Sequence, residues 1–106
     1  MNDAEFATLS GAALDRIEQQ LEASGADLDF DLAAGGVLEI EFADGSKIIV
    51  NKHGVAREIW VAAKAGGFHF RQDAGRWIDG RSGDELFAAL SRRVSEQSGC
   101  AVVLSA

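Results

Sequence analysis

Glu18 and Glu22 stand four residues apart, and Asp27, Asp29 and Asp31 alternate with apolar neighbours; no Lys or Arg falls between Glu18 and Asp31. These five carboxylates are the side chains whose type and spacing could do chemistry. On a helix turning about 100° per residue the two glutamates share one side, with Cβ atoms roughly 5–6 Å apart. On a strand the three aspartates share one face at steps of about 6.5–7 Å. Oxygen-only donors suit hard cations such as Ca²⁺, Mg²⁺, Mn²⁺ or Fe³⁺, accept Fe²⁺, and disfavour the zinc and copper sites built on Cys and His. Ligands spread along a ridge cannot enclose an ion, so weak and unselective binding is expected. A basic protein surface would feel the same field. Taken singly, each acid is an ordinary solvated residue that also discourages edge-to-edge aggregation. Taken together they repel one another with no relief along the chain, which points to a cation from outside it.

The charge balance supports a local feature. The chain of 106 residues has 17 Asp plus Glu against 10 Lys plus Arg, a formal net charge of −7. Residues 1–31 contain eight of the acids and a single base, Arg16, leaving nine of each sign in residues 32–106. The whole excess therefore belongs to the first third. A nucleic-acid footprint of clustered Lys and Arg is excluded. Hydrophobic residues at 47% and charged residues at 25% are globular averages, which fits one domain over residues 1–106. The lone Cys100 cannot form an intramolecular disulfide, and no basic start with an apolar run marks a signal peptide. No apolar stretch approaches the roughly 20 residues needed to cross a membrane. The expectation is a cytoplasmic protein bound neither to nucleic acid nor to membrane.

The elements that must position the acids follow from periodicity. Asn2 with Glu5 reads as a capping box, and Phe6, Leu9, Ala13, Ile17 and Leu21 recur at three- and four-residue steps, predicting a helix over about residues 3–24 that ends at Gly25. Glu18, Glu22 and Asp15 fall on its outer side. Alternation over residues 27–32 predicts a strand, and Val37 to Phe42 predicts another. Asp44-Gly45 reads as a type I′ hairpin turn returning through Lys47 to Asn51. Arg57 to Lys64 predicts a strand with Ile59, Val61 and Ala63 inward and Trp60, Ala62 and Lys64 outward. Phe68 and Phe70 lie on a further strand and Trp77 on a short one. Ser82 with Glu85 reads as a capping box, opening a second helix whose stripe is Leu86, Phe87, Leu90 and Val94 and which ends near Gly99. Val102 to Leu104 is too apolar to dangle and should pack as a tail. Tight turns require antiparallel neighbours, so the expected fold is α+β: a two-layer sandwich with an antiparallel sheet of five or six strands, both helices on one face and the other face open.

Other chemistry lacks an anchor. His53 and His69 lie on different elements without a partner at triad-like spacing, and read as a loop residue and a sheet-face residue. Cys100 has neither a CxxC pattern nor basic neighbours. No phosphate-cradling GxxxxGK loop occurs. The expectation is a protein without catalytic residues. Trp60 differs: on the open face, near Asn51, Lys64 and His69, a partly exposed indole suits an interface anchor.

Asn2-Asp3-x-Glu5-Phe6, Gly35-Gly36-Val37-Leu38, Asp44-Gly45-Ser46-Lys47-Ile48-Ile49, Asn51-Lys52, Ile59-Trp60-Val61-Ala62, Gly66-Gly67-Phe68-His69-Phe70 and Trp77-x-x-x-Arg81-Ser82-Gly83-x-Glu85-Leu86 form a collinear set over nearly the full chain. With it the sequence resembles the frataxin family, most closely its bacterial members. The resemblance implies the same two-layer sandwich. It also implies a role in iron–sulfur cluster assembly, with weak binding of iron as Fe²⁺ or Fe³⁺ and contacts to an IscS-type cysteine desulfurase and the iron–sulfur scaffold complex. Glu18, Glu22, Asp27, Asp29 and Asp31 match the family's acidic ridge, with Asp3 an outlying member. Glu18, Glu22, Asn51 and Trp60 match its partner-binding positions. Gln19 and Ala23 depart from the pattern where relatives often carry carboxylates, Ala7 stands where some have His, and the loop after Asp31 is one residue shorter; these losses bear on iron stoichiometry and affinity more than on partner binding. A monomer is expected, with iron-dependent oligomers left open, as is the alternative of an acidic module that inhibits a basic partner without any metal.

Overall fold

A computed structural model describes all 106 residues. The order is α1 (Asp3–Ser24), β1 (Leu28–Ala33), β2 (Val37–Phe42), β3 (Lys47–His53), β4 (Glu58–Ala63), β5 (Gly66–Asp73), β6 (Arg76–Asp79) and α2 (Leu86–Ser98). The strands form one antiparallel sheet in sequence order, β1 to β6. This is the expected sandwich, with six strands.

Parity sets the layers. Because successive side chains point to opposite faces, Leu38, Ile40 and Phe42 of β2, Ile48 and Val50 of β3, and Ile59 and Val61 of β4 all point one way and are buried. They meet Phe6, Ala13, Leu14, Ile17 and Leu21 of α1 and Leu86, Phe87, Leu90 and Val94 of α2 in one core cluster. The helical stripe is shifted from the expected one. Leu9 is largely exposed, while Leu14 and Ser10 are buried, Ser10 donating its hydroxyl to the Phe6 carbonyl at 2.6 Å. The i, i+4 path from Phe6 through Ser10 to Leu14 carries the buried face around the helix and leaves Leu9 at its margin.

The capping box at Asn2 and Glu5 forms, and Gly25 and Gly99 close the two helices in the left-handed conformation. Two local expectations are corrected. The 44–45 turn is not type I′, because Asp44 keeps a negative φ and only Gly45, at φ 85°, is left-handed. Gly45 donates its N–H to the Phe42 carbonyl and the Phe42 N–H reaches Ser46, so three residues form the loop, a type I turn closed by a left-handed glycine. The Asp44 carboxylate favours this form by accepting from both the Ser46 amide and its hydroxyl. The second helix starts later than the Ser82 box implies. Glu85 is paired to Ile78 by an extended bridge, so its backbone cannot be helical, and its own side chain caps the Phe87 and Ala88 amides.

The tail packs as expected. Val102 and Leu104 belong to the core, and the Ser95 and Ser91 hydroxyls each accept from the amide and donate to the carbonyl of Val102 and Leu104 respectively. Leu104→Ala should therefore cost about 2–4 kcal/mol in urea unfolding, as expected for a buried leucine; a loss under about 1 kcal/mol would show that the tail does not belong to the core.

Candidate functional site

The acids do not form one surface. Glu18, half-buried, and Glu22, exposed, belong to the helical layer. Three residues separate α1 from β1, where Leu28 and Phe30 pack on the core, so Asp29 and Asp31 point to the face turned away from the helices. The expected ridge is thus an edge with carboxylates on both flanks. Asp27 precedes the strand and is exposed there, which corrects its assignment to the strand face. Asp3 stands some 19 residues up the helix from Glu22, about 28 Å at 1.5 Å per residue. Its carboxylate is forked by the Arg57 Nε and Nη2 at 3.3 and 3.1 Å. Asp3, the outlying acid, is therefore ion-paired and remote from Glu18, Glu22, Asp29 and Asp31.

Two acids missed in the sequence reading extend the field. Antiparallel pairing sets Asp29 opposite Glu41 and Asp31 opposite Glu39, like charges whose Cβ atoms lie about 4.5–5.5 Å apart in such a ladder. The signal was present: once Leu38, Ile40 and Phe42 are inward, Glu39 and Glu41 must be outward, and the Gly35-Gly36 turn fixes which aspartate each one faces. One of the four is relieved. The Lys47 ammonium lies 2.7 Å from Glu39, and that hydrogen bond and charge, with Glu41 adding to them, hold the lysine pKa above its ordinary value. Asp29, Asp31 and Glu41 have no ion pair. No three His, Cys, Asp or Glu side chains converge on a common point. The donor chemistry fits a hard cation such as iron, but the arrangement gives one or two carboxylates at a time with water completing the coordination.

Further along the open face the character changes. Asn51 pairs with Trp60 and Trp60 with His69 across β3, β4 and β5. His53, two residues beyond Asn51, stacks on one side of the indole at 3.9 Å and 12°, and His69 stacks on the other at 4.3 Å and 10°. Trp60 is half-buried between them on the expected face. His53 ends β3 instead of lying in a loop, and its Nδ1 accepts the Ala56 N–H at 3.2 Å. Lys64 is not beside the indole; it lies past β4 and pairs with Asp44 at 3.6 Å. The strand direction carries it away from Trp60.

Beneath the rings sits Glu58, also unforeseen. Its Oε1 accepts the Trp60 Nε1–H at 2.9 Å and its Oε2 the Arg71 Nε–H at 2.6 Å, with His69 Nδ1 at 4.0 Å. The Arg71 hydrogen bond is the largest influence on the carboxyl and lowers its pKa; burial opposes this, while the Trp60 bond and the Arg71 and His69 charges add to it. Register alone could have placed Glu58 beside Arg71, since Ile59 pairs with Phe70.

A lowered folded pKa means that the Glu58 interactions stabilise the protein fully above the ordinary glutamate range and are lost as pH falls through the lowered value. The ¹³C carboxyl resonance of Glu58 should titrate below that range, with the Trp60 indole N–H resonance moving alongside it; titration at or above the ordinary glutamate value would contradict the clamp.

The frataxin-like domain family matches residues 1–100. Among curated relatives, the iron–sulfur cluster assembly protein CyaY of Dechloromonas aromatica is 62% identical over 104 residues, covering 98% of this chain and 99% of that protein. Among solved structures, the frataxin of Psychromonas ingrahamii superposes with a TM-score of 0.92 at 37% identity, covering all of both chains. A trimeric yeast frataxin complexed with ferrous iron superposes at 0.67 and 25% identity, over 93% of this chain and 88% of that one. No helix of this chain is long and apolar enough to cross a membrane.

Proposed function

Since this chain belongs to the frataxin-like family, we propose that it serves iron–sulfur cluster assembly as a non-enzymatic cytoplasmic protein that binds the IscS-type cysteine desulfurase, carries iron weakly, and regulates cluster formation. The observation that carries this reading is the carboxylate edge: Glu18 and Glu22 on one layer, Asp29, Asp31 and Glu41 on the other, five acids that make up most of the chain's net charge of −7. Such an edge attracts a basic protein surface at long range and holds a hydrated hard cation at short range. The name of the Dechloromonas relative and the ferrous iron in the yeast frataxin support the pathway and the metal. Trp60 and Asn51, at the middle of the open face, supply the contact that a field alone cannot, because an indole anchors an interface where charges only steer.

A second reading is favoured by one observation. No three carboxylates converge, so the same edge could inhibit a basic partner with no metal role. The two separate in an anaerobic Fe²⁺ titration followed by backbone NMR. The iron-linked reading expects resonances of residues 18–31 and of Glu39 and Glu41 to shift or broaden by millimolar iron. Unchanged spectra would leave the metal-free reading.

The partner claim is tested separately. Glu18 and Glu22 reach solvent, so Glu18→Lys with Glu22→Lys should leave the thermal midpoint nearly unchanged. In calorimetry the double variant should bind the desulfurase at least about tenfold more weakly, the size expected for reversing charges at an electrostatically matched rim. Unchanged affinity would rule out this edge as the docking surface.

A further inference from the structure

Glu58 and Asp79 are the two acids among the 24 buried residues. Asp79 points to the helix-covered side, opposite Phe70, and accepts the Arg81 amide in a tight loop. Glu58 stands on the uncovered face, where water could hydrate a carboxylate freely, yet it is only 9% exposed. The groups around it are Trp60, Arg71 and His69. The pair joins a buried carboxylate to a guanidinium that is 70% exposed, so it adds little net stability; its clearer effect is to select one geometry. Here the geometry selected is that of the indole. A carboxylate held by Arg71 accepts the Trp60 N–H, and His53 and His69 lie within 12° of parallel on the two ring faces. With both faces occupied, the part of the indole left free is its edge.

We infer that Glu58 is a positioning residue for partner recognition: with Arg71 it fixes Trp60 edge-outward between two imidazoles, and the assembly partner meets a preset plate instead of an indole that must be ordered on binding. This rests on the reading that Trp60 contacts that partner. A tryptophan has only two side-chain torsions to order at an interface, so the effect expected when the clamp is removed is at the low end of the side-chain ordering cost, about a threefold weaker association. A residue that served stability alone would change the unfolding midpoint without changing affinity or the indole environment.

The test compares Glu58→Ala, Glu58→Gln and Trp60→Ala by calorimetry against the desulfurase with its scaffold, with the Trp60 indole N–H resonance of the parent and of the two free Glu58 variants as a second readout. Glu58→Ala should bind about threefold more weakly and show a shifted, broadened indole signal, while Glu58→Gln, which keeps one acceptor for the indole but turns an amide donor toward Arg71, falls between Glu58→Ala and the parent in both. If Trp60→Ala weakens binding and Glu58→Ala does not, Glu58 does not position the contact and the inference is wrong. If Trp60→Ala binds like the parent, the premise about Trp60 falls and takes the inference with it, whatever the indole signal does. Should Glu58→Ala not fold, Arg71→Met frees the carboxylate while leaving the indole donor in place, and an unmoved indole signal in that variant overturns the clamp.

Discussion

Every side chain on the open face of this protein owes its place to the parity of the sheet. Six strands in sequence order bury Leu38, Ile40, Ile48, Val50, Ile59 and Val61 under two helices, and the residues between them have no choice of face. A register slip of one residue would drive Glu39, Glu41 and Trp60 into the core and put the aliphatic set in water. The burial of the apolar face, at roughly 1.5–3 kcal/mol per large side chain, therefore holds the charged and aromatic residues of the open face in place without contributing to what they do.

That open face has two ends of different chemistry. At the β1–β2 end, carboxylates oppose one another across the ladder, with Lys47 paired to Glu39 and its charge also felt by Glu41. At the β3–β5 end, two imidazoles and a guanidinium surround an indole and a buried glutamate. The first end is costly in self-repulsion; the second is preorganised. Long-range attraction and short-range fit are thus carried by different residues, which is how electrostatic steering and hot-spot contacts divide the work in protein association.

Much of this was legible in the sequence. Alternation over residues 27–32, 37–42 and 57–64 marked these strands and put Trp60 on the correct face, and Asn2 with Glu5 marked the start of α1. What alternation could not give was lateral neighbourhood. His53, Trp60 and His69 are separated by seven and nine residues, and only the pairing of β3, β4 and β5 stacks them. Glu58 looks like any strand glutamate until Arg71 arrives from the next strand. The Ser82 capping box failed for a related reason: the bridge from Ile78 to Glu85 is a tertiary contact that overrides a sound local signal. Asp3 entered as an outlying acid through the family resemblance, and its pairing with Arg57, 54 residues away, lay outside any local pattern.

A carboxylate edge that acts as a field on a basic partner must lose its reach in salt, because the Debye length contracts from about 10 Å at 0.1 M to about 3 Å at 1 M. Affinity for the desulfurase measured across that range should fall steeply and continuously, with the association rate falling more than the dissociation rate rises. Affinity that stays flat with salt would show that the edge does not steer the partner.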